Sequence, residues 1–397
     1  MNERRVSLFG LFGCFLKLGC ISFGGPVAHL GFFRDEFVSK RKWMSDEDYA
    51  DLVALCQFLP GPASSQVGYA IGLREGGLWG GMAAWLGFTL PSAGLMIGFA
   101  LGVTQLGDVS DSGWIVGLKM AAVAVVAQAL WGMAAKLCPD RERALLALGA
   151  AAFLAVFVGA IWQVVVIAVG GLAGALLFRS PSETKAPEGE SGRVGSWGPG
   201  WVWLLCFGTG LLGLPMWAAS NPGPTLAVID GFYRAGSLVF GGGHVVLPLL
   251  DAFTVGRGWI DVDTFLAGYG AAQALPGPLF AFTSFLGTAI SAGPGGIGGG
   301  VLALVATYVP SWLLLLGVLP YWEKLRRLAV AQAILKGANA AVVGLLLAAF
   351  FNPIWATAVT STDRLAFALL AFGALRYAKL PPWALVLVCG GAGALVF

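Results

Sequence analysis

Four basic side chains interrupt otherwise apolar segments of the chain, and they fall into two pairs at one spacing. Lys17 and Arg234 are 217 residues apart, and so are Lys119 and Lys336. A base within the hydrocarbon is costly unless it faces a pathway or a partner. Two repeated pairs therefore point to compensation of negative charge inside a membrane. Each has a plainer reading beside it. Lys17 and Arg234 can snorkel to the surface, Asp230 stands four residues before Arg234 for a helical ion pair, and Lys119 and Lys336 can be interfacial.

Neutral groups repeat with them. Gln57 and Gln273 each stand just before a Pro-Gly-Pro break, in Gln57-Phe58-Leu59-Pro60-Gly61-Pro62 and Gln273-Ala274-Leu275-Pro276-Gly277-Pro278, and Phe23-Gly24-Gly25-Pro26 returns as Phe240-Gly241-Gly242-Gly243. Ser22 adjoins the first tip, and Ser64, Ser65, Gln66, Thr283 and Ser284 follow the Pro-Gly-Pro breaks, where they can also bond their own helix backbone. The only histidines, His29 and His244, each follow a Gly-rich tip. A proton relay is open to them, although they are 215 rather than 217 residues apart, which favours a structural role over a duplicated one.

Of 397 residues, 57% are hydrophobic and 11% charged, against roughly 25% charged in an average soluble domain, and the mean hydropathy is +0.80. This is the composition of a polytopic membrane protein. A net charge of +3 is too small and dispersed for a nucleic-acid binder. The six cysteines stand singly, without metal or redox spacing,, and no phosphate loop, zinc motif or dinucleotide fingerprint occurs. No cofactor, metal site or catalytic constellation is therefore expected. Arg4 and Arg5 before an apolar stretch resemble a signal peptide, but Lys17 interrupts it, so the segment reads as retained,.

About thirteen apolar segments, each near the roughly 20 residues that cross the hydrocarbon, recur along the chain. A polar, Pro/Gly-rich linker at 179–200 divides them. The repeated motifs stay collinear: Pro91-Ser92 with Pro310-Ser311 and Ile161-Trp162 with Pro382-Trp383 continue the series. The organisation expected is a first repeat over 1–178, the linker, an extra connecting helix over 201–219 and a second repeat over 220–397.

An even number of segments per repeat plus one extra crossing turns the second repeat over. Charge placement agrees. Arg34, Lys40, Arg41 and Lys42 follow the first segment, and Asp108 and Asp111 follow the third. In the second half the acids Asp251, Asp261 and Asp263 come first, with Arg257 alone among them, and Lys324, Arg326 and Arg327 follow the third segment. Because bases favour the cytoplasmic side, equivalent loops fall on opposite faces, and Lys136, Arg141 and Arg143 also fall inside. The fold class is an all-α polytopic membrane protein of two inverted-topology repeats with Gly/Pro-broken helices. The breaks are either re-entrant tips around a protein-lined or wet cavity or kinks in spanning helices that serve close packing.

The paired Phe-Gly-Gly and Gln-x-Leu-Pro-Gly-Pro motifs resemble those of the chromate ion transporter family in its long, two-domain bacterial form, over nearly the whole chain. The resemblance implies two fused, antiparallel halves in a bacterial inner membrane and the export of chromate, giving resistance. Gly243 stands where the first tip has Pro26. Chromate and sulfate are tetrahedral dianions, which need positive charge and several donors in hydrocarbon. The site expected on this reading combines Lys17, Lys119, Arg234 and Lys336 with Ser22, Gln57 and Gln273. Half-helices starting at Gly24-Gly25, Pro60-Gly61, Gly241-Gly242 and Pro276-Gly277 would aim free N–H groups at the anion. His29 and His244 are the coupling candidates and the proton the coupling ion. Sulfate or related oxyanion uptake is the alternative, an anion channel a more distant one, and a homodimer stays open.

Overall fold

The computed structural model describes residues 6–106, 112–178 and 197–397. Among them there is no strand, and the fold is helical throughout. Asp108, Asp111 and nearly all of the polar linker lie outside the described residues.

The first repeat comprises α1 (Leu8–Ile21), α2 (Gly25–Phe33), α3 (Asp46–Phe58), α4 (Ala63–Gln105), α5 (Gly113–Leu137), α6 (Arg141–Val156) and α7 (Ala160–Leu177). After α8 (Gly200–Ser220) the second repeat comprises α9 (Pro224–Ser237), α10 (Val246–Thr254), α11 (Val262–Ala272), α12 (Phe282–Ala289), α13 (Gly296–Val318), α14 (Trp322–Leu325), α15 (Ala329–Ala349), α16 (Ala356–Ala358), α17 (Thr362–Arg376) and α18 (Pro382–Val396). Within α4, Gly76 and Gly77 leave helical geometry, Gly77 at φ 69°. α4 is thus two helices joined at a kink, the counterpart of α12 followed by α13. Small residues let both hairpins close: Gly72 meets the Gly80 backbone in the first, and Gly287 meets that of Gly299 in the second.

Helix starts repeat as well. Ser45 and Asp261 accept from the backbone N–H groups of Asp48 and Thr264 to begin α3 and α11, and Asp140 and Ser361 do the same for α6 and α17. These side chains satisfy donors that a helix N-terminus leaves unpaired. Duplication therefore extends to the caps and covers every long element except α8.

Among the described residues, six helical stretches are long and apolar enough to cross a membrane: 63–105, 113–137, 160–177, 200–220, 296–325 and 329–358. The chain is a multi-pass membrane protein. Thirteen continuous crossings are not what forms, because several apolar segments are broken or short. The 8–30 segment divides into α1 and α2, and the 14 residues of α1 extend about 21 Å, short of the roughly 30 Å hydrocarbon.

Within each repeat, α1 packs on α4 and α9 on α13. Between repeats the packing is exchanged. The closing pair of the first repeat, α6 and α7, packs on α15, and the closing pair of the second, α17 and α18, packs on α5. α8 rests on α13 and α9 and buries only Gly200.

Candidate functional site

The two Gly-rich tips are interruptions that their residue types require. α1 ends at Ile21, and the chain turns through Gly24 and Gly25 at φ 101° and 77° into α2, with Pro26 in its first turn. The second tip turns through Gly241 and Gly242 at φ 76° and 148°. L-residues with side chains rarely adopt such angles. Pro26 lacks an N–H and fits where a helix starts, since the first donors there have no intrahelical acceptor.

Each Pro-Gly-Pro break clasps the tip of the other repeat. Gly61 N–H donates to the Val239 carbonyl at 2.7 Å, and Gly277 N–H donates to the Ser22 carbonyl at 3.0 Å. Ser22 and Val239 are equivalent at spacing 217, as are Gly61 and Gly277 at 216. The exchange is reciprocal. A Cβ on Gly61 would lie 3.2 Å from Ser311 Cβ, and one on Gly277 would lie 2.9 Å from Ser92 Oγ and 3.3 Å from the Phe88 carbonyl. The repeated Pro-Ser pairs thus back the breaks of the opposite repeat.

A cavity of about 450 Å³ opens where the tips meet. Gly24, Gly25, Gly241 and Gly242 line it, with Gly277 from the second break. Four polar side chains join them: Gln128 and Lys136 from α5, His244 after the second tip, and Gln273 at the end of α11. His244 Nδ1 lies 2.7 Å from the Tyr269 hydroxyl, and buried Gln273 Nε2 has no partner among the described residues. No Asp or Glu lines the cavity among the described residues. Its only full charge among them is the Lys136 ammonium, and its polar lining is rich in donors.

The four matched bases lie outside the lining of this cavity. Lys17 is exposed on α1, near the Glu36 carboxylate that pairs with Arg41 at 2.7 Å and Lys40 at 3.7 Å. The hydrogen bond from Arg41 holds the Glu36 carboxyl below its ordinary range. Arg234 pairs with Asp230 one turn earlier and stacks 4.7 Å from the Phe253 ring, while Arg257 reaches the same Asp230 at 3.7 Å. Lys119 is 2% exposed and bound to Asp263 of α11 at 2.8 Å. Lys336 is exposed on α15.

Other expected members divide between clasp and surface. Ser22 is fully buried, with its carbonyl in the clasp. Gly61 belongs to the other clasp, and the Pro60 carbonyl accepts from Gln66 Nε2 at 2.9 Å. Pro276 is buried outside the lining. Gln57 is exposed on α3, unlike its match Gln273. His29 is fully buried, its Nδ1 3.2 Å from Ser64 Oγ and its ring edge-on to Phe88.

Sequence reasoning misses Gln128 and Lys136, although a signal is present. Val125, Gln128, Ala129, Gly132, Met133 and Lys136 line the cavity at positions i, i+3, i+4, i+7, i+8 and i+11, the stripe of one helix face. Two polar side chains on such a stripe, in a helix otherwise apolar there, mark a wet face. By charge alone, Lys136 groups with Arg141 and Arg143 at the loop and draws no notice as a site residue.

Comparison with known proteins agrees with this architecture. The chain is 29% identical to a chromate transport protein of Pseudomonas aeruginosa, over 98% of this chain and 92% of that protein. It is 26% identical to a chromate transport protein of Cupriavidus metallidurans, over 84% of this chain and 80% of that protein. An uncharacterized transporter of Methanocaldococcus jannaschii is 26% identical, over 87% of this chain and 84% of its own length. No solved structure matches. The chromate transporter family model matches twice, over residues 9–175 and 226–394, once on each repeat, and the chain belongs to that family.

Proposed function

We propose that this protein exports chromate across a bacterial inner membrane by alternating access between its two repeats, drawing on the proton electrochemical gradient and conferring chromate resistance. The observation that carries this reading is the donor-lined cavity between the tips, with Lys136 as its one full charge and no carboxylate among its described lining residues. A tetrahedral dianion needs such surroundings, since every carboxylate near it would raise its energy in a medium of low polarity. The start of α2 adds free N–H groups and the positive end of its dipole.

Direction is supported by the charges around the mouth. Lys136 is exposed at the end of α5, close in sequence to Arg141 and Arg143 at the start of α6, and bases favour the cytoplasmic side. On that reading the cavity loads from the cytoplasm, as an exporter requires. The inverted relation of the repeats is supported by the reciprocal clasps and by α8, whose single extra crossing reverses the second repeat.

Radiolabelled chromate accumulation in everted membrane vesicles tests the proposal, with and without an imposed gradient and with excess sulfate as competitor. Gradient-dependent accumulation above vesicles lacking the protein is expected, with sulfate competing for the same cavity. No accumulation there, together with sulfate uptake by intact cells, would make the protein an oxyanion importer. Flux insensitive to any opposing gradient would make it a channel.

A further inference from the structure

His244 is the side chain lining the cavity, among the described residues, whose ordinary titration range brackets neutrality,. Its partner suits a group that changes charge. Tyr269 is fully buried on α11, with its hydroxyl 2.7 Å from His244 Nδ1. A hydroxyl donates as well as accepts. Tyr269 can donate to the neutral ring and accept from the imidazolium, so the contact survives either state without movement of the ring.

The charged groups on the surrounding elements leave His244 the balancing role. Lys136 of α5 lines the same cavity. Lys119 and Asp263 are bound to each other, and Asp230, Arg234 and Arg257 form a separate cluster. Lys336 of α15 is exposed. Asp251 stands seven residues further along the chain, in α10, about 10 Å on at helical rise. A dianion beside Lys136 alone keeps one uncompensated negative charge, which a low-polarity site penalises.

Resting on the oxyanion reading above, we propose that His244 takes up one proton from water as a dianion enters the cavity, so that dianion, imidazolium and Lys136 ammonium form an electroneutral set. An N–H bond forms at a ring nitrogen as an O–H bond of a hydronium ion, replenished by the buffer, breaks, and no other bond changes. His29, sealed against Ser64 and outside the cavity lining, has no part in it. If proton and dianion leave together, each cycle moves one net negative charge, and the electrical component of the gradient drives export.

The test is calorimetric titration of the purified full-length protein with sulfate, a dianion that stays unprotonated near neutral pH, in buffers of different ionisation enthalpy slightly above neutrality. Chromate serves as a second probe. Uptake of about one proton per bound dianion is expected in the wild type, as linkage requires of a group whose affinity for protons rises on binding. His244→Gln should bind about tenfold more weakly, the equivalent of one pKa unit, with no proton uptake, whereas His29→Gln should keep the uptake. Wild-type binding without proton uptake would overturn the proposal while leaving the oxyanion site intact, and undiminished uptake in His244→Gln would overturn it equally. Absence of binding by either anion would instead overturn the oxyanion reading of the cavity.

Discussion

The two repeats agree in their backbone and differ in the side chains they bring to the cavity. Both tips turn on paired glycines, both Pro-Gly-Pro breaks clasp the opposite tip, and both closing helix pairs pack on the other repeat's long helix. The polar lining, by contrast, comes from Gln128 and Lys136 on one side and His244 and Gln273 on the other, and only the second break contributes a glycine to it. Gln57, the match of Gln273, is exposed. The repeats thus share their backbone turns and differ in the polar groups that line the cavity. Of the matched bases, Arg234 and Lys119 hold ion pairs, and Lys17 and Lys336 are exposed.

The largest expected effect therefore concerns folding. Arg234→Ala leaves Asp230, only 2% exposed, with Arg257 at 3.7 Å as its remaining base. Breaking one partner of a buried pair costs about 3–5 kcal/mol. Thermal unfolding in detergent should fall sharply, and adding Asp230→Asn should restore most of it. A stable Arg234→Ala protein that binds chromate poorly would return this base to the site and break the contrast. Gly61→Val and Gly277→Val come next. Their φ of 124° and 92° would cost a side-chain residue about 1–3 kcal/mol before any clash with Ser311 or Ser92. Both should reduce folded protein on size-exclusion chromatography to a similar degree, although only Gly277 touches the cavity.

Much of this scaffold was legible in the sequence. Collinear motifs exposed the duplication, Gly and Pro marked the breaks, and apolar lengths marked the membrane segments. What spacing could not reveal is exchange: Gly61 is nearer in sequence to Ser22 than to Val239, yet it bonds to Val239. Matching between halves also selected against the site. Lys136 has no counterpart at the common spacing, where Pro353 stands, so a search for repeated bases passes over it. Arg234 shares Asp230 with Arg257 of the following loop, whereas exposed Lys17 forms no such pair among the described residues.

Lys136→Gln sharpens the comparison from the site's side. Loss of a hydrogen bond to a charged group costs about 1.5–3 kcal/mol, so calorimetry should show chromate bound roughly tenfold or more weakly, with thermal stability unchanged because the ammonium is exposed. Lys17→Ala, also exposed but away from the cavity, should bind as the wild type does.

The smallest effect is the most discriminating, because it compares two residues that the sequence treats as equivalent. Gln57 and Gln273 occupy the same position before the same break, and a site built symmetrically from both repeats would weaken alike on losing either. In this fold Gln273 Nε2 is buried at the cavity without a described partner, whereas Gln57 is exposed on α3. A neutral hydrogen bond contributes about 1 kcal/mol. Gln273→Leu should therefore weaken chromate binding severalfold, and Gln57→Leu should leave it within experimental scatter. Equal losses would mean that the first break also reaches the anion, and the division between a duplicated scaffold and a diverged site would fail at the residue pair where it is easiest to measure.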